Sequence, residues 1–237
     1  MNHAPRQYRY YEFVMVAFVV ILVCSNLIGP AKIAQVDWPL VGTLTFGAGV
    51  LFFPISYVFG DILTEVYGYA RSRRVIWAGF LAMLFATVMS AVVLAMPPDP
   101  TEPYNRVIQP ALETVFGATW RIILASVVAF WLGDFANSYV LAKMKVRTEG
   151  RFLWMRTIGS TIVGQGIDSA VFYPIAFLGI WSTDVMLKVV LFNWAFKVAI
   201  EAALTPVTYK VVGELKRVEA EDYFDRDTNF TPFSLKV

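Results

Sequence analysis

Residues 53–74 read FPISYVFGDILTEVYGYARSRR, an apolar segment that runs straight into Asp61 and Glu65 and then into Arg71, Arg73 and Arg74. An acidic or basic side chain at the centre of a lipid-embedded helix costs about 2.5–3.5 kcal/mol on insertion scales. The two carboxylates therefore need water, a partner or a cavity if this stretch lies in a membrane. Whether it does is decided by the sequence around it.

Hydrophobic residues make up 57% of the 237-residue chain and charged residues 16%, and the mean hydropathy is +0.58. A soluble domain carries about 25% charged residues, so the composition is that of a membrane protein. Uncharged runs extend over 13–31, 38–60 and 75–98, each near the ~20 residues that cross a ~30 Å hydrocarbon core. Three further runs, 119–142, 157–180 and 185–212, are interrupted by polar residues. The expected fold is all-α, a six-transmembrane-helix bundle formed by one membrane domain over 1–216, followed by a polar, loosely ordered tail over 217–237. The first apolar run is long enough to span, so it reads as a retained helix and not a cleaved leader.

Basic residues set the expected orientation, because Lys and Arg are retained on the cytoplasmic side. Arg6 and Arg9, then Arg71, Arg73 and Arg74, then Lys143, Lys145, Arg147, Arg151 and Arg156, then Lys210, Lys216 and Arg217 fall on one side of the predicted spans. Both termini are expected in the cytoplasm. The basic segments are short and already explained by orientation, so nucleic acid is not an expected partner. The loop over 97–113 is rich in Pro and acids and reads as irregular, with room for a short surface helix. The spans before 74 and before 147 both end in Gly-Asp, further polar residues and a basic segment, an echo that suits a repeated hairpin.

Cys24 is the single cysteine and His3 the single histidine, which argues against a disulfide framework, a zinc or haem site and His-based catalysis. No cofactor is expected. HExxH, GxSxG and nucleophile-base signatures are absent, as is a phosphate-binding GxxxxGK[ST] loop, so the chain does not read as an enzyme or an ATPase.

The ionisable residues within the spans carry the functional reading. Residues three or four apart share a helix face. Asn193, Lys197, Glu201 and Thr205 form one row; Gln165, Asp168, Ser169 and Tyr173 another; Asp134, Asn137 and Ser138 a third; Tyr57, Asp61, Thr64 and Glu65 a fourth. Such stripes at matching depth point to a shared internal cavity. Pro54, with Gly47 and Gly49, is expected to bend the second span and let it line that cavity. Blander readings exist: Lys197 and Glu201 as a self-neutralising i, i+4 pair, and Asp61 and Glu65 paired with the nearby arginines. The apolar faces of the first and third spans suit lipid, or a second copy of the chain in a homodimer.

GDILTEVYGYARSRRVIW, ANSYVLAKMK, GQGIDSAVFYPIAFLG and FKVAIEAALTPVTYKVV together resemble the queuosine precursor transporter family, also described as the VUT family of bacterial inner-membrane proteins. The resemblance covers about 25–217. It implies a multi-pass, six-helix importer of deazapurines such as 7-cyano-7-deazaguanine, with 1–216 as the transporter domain. The chemistry of that substrate class fits the stripes. A deazaguanine presents adjacent N–H donors that a carboxylate accepts in bidentate fashion, a carbonyl for a donor, and a flat ring for aromatic walls. The candidates are Asp168 or Glu201 for the donor edge, Gln165, Asn137, Asn193 and Lys197 as donors, and Tyr57, Phe52, Tyr173 and Trp194 as walls. Asp134 is a further candidate for substrate binding; proton coupling through Asp168, Glu201 or Asp134 and facilitated diffusion both fit the sequence, and Asp61, Glu65 and Arg74 are candidates for gating or coupling. The rival reading is the substrate-binding subunit of an energy-coupling-factor transporter, but the small-residue Ala-xxx-Ala face of such subunits has no match in a first span with only Ala17.

Overall fold

The computed structural model describes residues 7–28, 33–39, 42–47, 52–117, 120–234 and 236. They form α1 (Tyr11–Ile28), a hairpin of β1 (Ile33–Trp38) and β2 (Gly42–Gly47), α2 (Phe53–Tyr67), α3 (Tyr69–Ala95), α4 (Asn105–Phe116), α5 (Trp120–Arg147), α6 (Leu153–Phe177) and α7 (Thr183–Glu219). The all-helical reading holds for the body of the protein. Among the described residues, three helices, α1, α3 and α5, have the length and apolar character to cross a membrane. With 25 and 37 residues, α6 and α7 are long enough as well but carry more polar residues.

The second span is corrected. Instead of a helix from residue 38, the chain forms an antiparallel hairpin with Ile33 opposite Gly47 and Trp38 opposite Gly42. Pro39, which lacks an N–H, opposes helix there, and the β-branched Thr43 and Thr45 favour extended backbone. Pro54 does not bend a helix either. It lies in the first turn of α2, where its missing N–H costs nothing. Gly47 is the last residue of β2, and Gly49 lies outside the described residues.

The third span also begins earlier than expected. Only Gly68, at φ +86°, separates α2 from α3. Arg71, Arg73 and Arg74 therefore lie in the first turns of α3 and not in a loop. The surface helix expected in 97–113 is present as α4.

The core is one cluster drawn mainly from α1, α2, α3 and α5, including Phe18, Leu22, Ile62, Leu63, Tyr67, Val75, Ile76 and Phe130. By contrast, large apolar side chains on α3 and α7 stand exposed, Phe85 at 70% and Phe192 at 65%. Such faces suit lipid and not water. Helices α5 and α6 share the most extensive contact among the described elements. A Cβ added at Gly164 would stand 2.8 Å from Asn137 Cβ and 3.0 Å from the Gly133 carbonyl, so the two backbones touch where only glycine fits.

The tail is not loose. Glu219 accepts backbone N–H groups of Arg9 and Tyr10 at 2.9 and 2.7 Å, which brings both ends of the chain to one end of the bundle. Beyond it, Asp225 is 2% exposed and accepts the Tyr69 N–H at 3.0 Å, and Arg73 donates to the carbonyls of Asn229 and Thr231 at 2.6 and 2.8 Å.

Candidate functional site

The end of the bundle away from the termini contains a cavity of about 320 Å³. Val23, Asn26 and Leu27 of α1, Thr87 and Ser90 of α3, Ile123 and Phe130 of α5, and Phe172 and Tyr173 of α6 supply its walls. Its floor carries Asp168 and Lys197, joined by an ion pair of 2.8 Å between Lys197 Nζ and Asp168 Oδ2. Volume, apolar walls and a few convergent polar groups are those of a small-molecule site.

The tight crossing of α5 and α6 positions that floor. A Cβ on Gly133 would stand 3.0 Å from Asp168 Cβ, so the absence of a side chain on α5 lets Asp168 seat against its backbone. The same closeness puts Asn137 and Asp134 beside α6. Asn137 donates from Nδ2 to Asp61 Oδ1 at 2.7 Å, tying α5 to α2. Asp134, also buried, lies within electrostatic reach of Asp168 and Lys197.

One turn along α7 from Lys197, Glu201 is 1% exposed, and neither of its carboxylate oxygens has a hydrogen-bond partner among the described residues. Asp61 and Tyr57 are within its electrostatic reach. Asp61 Oδ2 and Asn137 Oδ1 are likewise without partners. Buried polar atoms are normally paired, so these acceptors mark the layer as a polar one. Tyr57 is buried next to Gln165, in the same stratum.

Several expectations are corrected at this point. Lys197 does not neutralise Glu201; it reaches across to Asp168 instead. The Phe52 ring is 59% exposed and does not wall the cavity, because it precedes α2, whose buried face begins at Pro54. Trp194 donates its indole N–H to the Ile162 carbonyl at 3.0 Å, facing α6 from the side, and Asn193 donates to Val189 on its own helix at 2.9 Å. Of the proposed aromatic walls, Tyr173 lines the cavity. Phe172, its sequence neighbour, joins it; a second aromatic beside Tyr173 was the signal for it.

Glu65 does not pair with the arginines of α3. At the termini end it accepts Arg156 at 2.7 Å and Lys216 at 2.7 Å, with Lys145 at 3.6 Å. Asp222 adds a second carboxylate, 2.5 Å from Lys145 and 2.8 Å from Lys216. Outside the spans, burial opposes the charge of Asp222, yet hydrogen bonds from Lys145 and Lys216 outweigh it and hold its carboxyl below the ordinary 3.8. Arg74 is exposed. Between network and cavity floor lie the Asp61–Asn137 bond and three buried hydroxyls, Thr64, Ser72 and Ser138, with oxygens 2.9, 3.1 and 3.2 Å apart.

A family model described as "Putative vitamin uptake transporter" matches residues 47–211, which includes α2, α3, α5 and α6 in full and most of α7. A protein of Bacillus subtilis (strain 168) named "Probable queuosine precursor transporter" is 33% identical over 198 residues, 83% of this chain and 81% of that protein. No solved structure matches.

Proposed function

The chain belongs to the queuosine precursor transporter (VUT) family, and from that premise we propose that it imports 7-cyano-7-deazaguanine or a related 7-deazaguanine across the bacterial inner membrane. In this reading it is a self-contained, multi-pass carrier with both termini in the cytoplasm. Residues 1–216 form its transporter domain, and it moves the base without altering it. The proposed spans include α6 and α7, which bury Gln165, Asp168, Glu201 and Thr205 in the bundle interior.

The observation that supports this most directly is the Asp168–Lys197 pair at the floor of a largely apolar cavity. A deazaguanine entering the cavity would meet acceptor and donor side by side. The Asp168 carboxylate would take the ring N–H and exocyclic amine, and the Lys197 ammonium would donate to the ring carbonyl, with Phe172 and Tyr173 against the flat face. The pair is preorganised, so little ordering is needed on binding.

Uptake of labelled 7-cyano-7-deazaguanine by vesicles containing only the purified chain tests the reading. Uptake is expected, and its absence unless a partner ATPase is added would favour the energy-coupling-factor subunit instead. Asp168→Asn is expected to insert normally and to weaken binding by about 2 kcal/mol or more, roughly thirtyfold in Kd. Unchanged affinity in that variant would reject the role of Asp168.

A further inference from the structure

We propose that residues 220–234, with Lys236, are a strap that locks the termini end of the bundle, and that it must lift for the carrier to open there. The proposal rests on the carrier reading, since only a protein that opens at both ends needs such a lock.

The cavity lies in the half of the bundle away from the termini. Between its floor and the termini end lie the buried hydroxyl trio and the charged network of Glu65, Arg156, Lys145, Lys216 and Asp222. Opening that end requires Glu65 on α2 to part from cations on α5, α6 and α7. The strap spans the same division. Asp222 contacts Lys145 of α5 and Lys216 of α7. The Tyr223 N–H donates to Val66 of α2 at 3.3 Å, while its carbonyl accepts Lys145 at 2.8 Å. One peptide unit after another thus bridges the two sides that must separate.

The strap also covers both short helix junctions. The Tyr223 ring lies against Gly68, where a Cβ would come within 2.2 Å of it, and the Phe224 ring lies against Gly150, within 3.0 Å. Both glycines have positive φ, +86° and +77°. Two consecutive aromatics therefore pin the α2–α3 and α5–α6 joints, where the backbone has its greatest freedom to pivot.

The attachment is of a releasable kind. Arg73 is 1% exposed, and its guanidinium is met by strap carbonyls of Asn229, Thr231 and Lys236 at 2.6, 2.8 and 2.7 Å. Tyr69 and Trp77 donate to the Phe230 and Pro232 carbonyls at 3.1 and 2.8 Å. Phe230 packs on Tyr69 and Tyr139. Most of these polar contacts are to main-chain carbonyls, which water can replace when the strap leaves.

The test uses Cys24→Ser with a reporter, Ser138→Cys, placed in the hydroxyl trio behind the gate. Its rate of labelling by a bulky, membrane-impermeant maleimide is compared between the full chain and a chain ending at Glu221. Removal of the strap is expected to raise the rate by about tenfold or more, as the open population rises. Equal rates would overturn the proposal. Arg73→Gln in the full-length chain reads the same quantity without truncation, with an intermediate acceleration expected. In a second arm, Phe230→Cys and Tyr139→Cys are joined by a short bismaleimide. Cross-linked protein is expected to bind the labelled base yet fail to transport it, and transport at the uncross-linked rate would overturn the lock. Labelling needs no substrate, so a wrong substrate assignment leaves this readout intact.

Discussion

Replacing Glu65 by Gln should destabilise the protein more than any other single change at the termini end. Glu65 is 0% exposed. Arg156 reaches it through Nη2 at 2.7 Å and Nε at 3.3 Å, Lys216 at 2.7 Å and Lys145 at 3.6 Å. With Asp222 included, three cations face two carboxylates; in Glu65→Gln, three face one. Breaking a buried pair by removing one partner costs about 3–5 kcal/mol, mainly because charge is left uncompensated. The glutamine oxygen can still accept one or two of the bonds, so the lower figure, about 3 kcal/mol, is expected. For a chain of this length each kcal/mol shifts Tm by about 2–4 °C, which gives a fall of roughly 6–12 °C. Unfolding in nanodiscs, followed by intrinsic tryptophan fluorescence, measures it. Lys216→Met added to Glu65→Gln removes one surplus cation and should recover part of the loss, so that the two changes are non-additive in a double-mutant cycle. A fall of under about 2 °C, or simple additivity, would refute the account of the network as mutually compensating.

Gly164→Ala should force α5 and α6 apart, since its Cβ would stand 2.8 Å from Asn137 Cβ; the expected cost is about 1–3 kcal/mol with a loss of base binding, whereas Gly213→Ala, with open space around it, should be harmless in the same unfolding and binding assays. Glu201→Gln should leave affinity at the cavity floor nearly unchanged, because Glu201 lies beneath the lining, but reduce vesicle uptake by about tenfold or more, ~1.4 kcal/mol of barrier. The strap should respond to pH in two opposed ways, read by hydrogen exchange over 220–236 after correction for intrinsic rates. Asp222 is held below 3.8, so its contribution is present above that value and is lost as pH falls through the lower folded value. Asp225 is pushed above 3.8 by burial, despite bonds from Thr228 and the Tyr69 N–H, so its contribution is complete below 3.8 and is lost as pH rises through the raised value. Asp225→Asn should therefore protect the strap more than the parent at neutral pH, and weaker protection there would contradict the burial argument.

The residues of the cavity floor were legible because lipid makes charge expensive. Asp168 and Lys197, with Glu201 beneath them, stood out as costs needing an explanation, and helical spacing put them on inward faces. The pairing of Lys197 was not legible, since spacing reports neighbours on one helix and says nothing about the facing one. Arg156 was read as a loop residue because the apolar run begins at 157, yet α6 starts at Leu153 and carries the arginine inward to Glu65. The second strand of the hairpin, at 42–47, was hidden within a run greasy enough for a span; hydropathy measures transfer to an apolar phase, and Gly, Thr and Pro mark backbone shape on a different scale. The strap left the least trace. Its polar composition matches that of a disordered tail, and it docks largely through its carbonyls, a chemistry that side-chain patterns do not encode.

The termini end of the bundle is closed by charge rather than by apolar packing, and the difference between the two kinds of seal bears on how a carrier would cycle. An apolar seal loses about 25 cal/mol for every Å² it exposes on opening, with no compensation from water. A seal made of ion pairs behaves otherwise: the Coulomb attraction lost when Glu65 parts from Arg156, Lys145 and Lys216 is offset by hydration of the freed charges, which is why buried pairs come close to breaking even against their desolvation. The charged network by itself therefore specifies the closed geometry without holding it strongly. Firmness is supplied by the strap, whose rings cover the two glycine joints and whose backbone bridges α2 to α5. A gate built in this way separates register from strength, so that strap contacts can tune how often the termini end opens while the ion pairs keep the closed state in one arrangement.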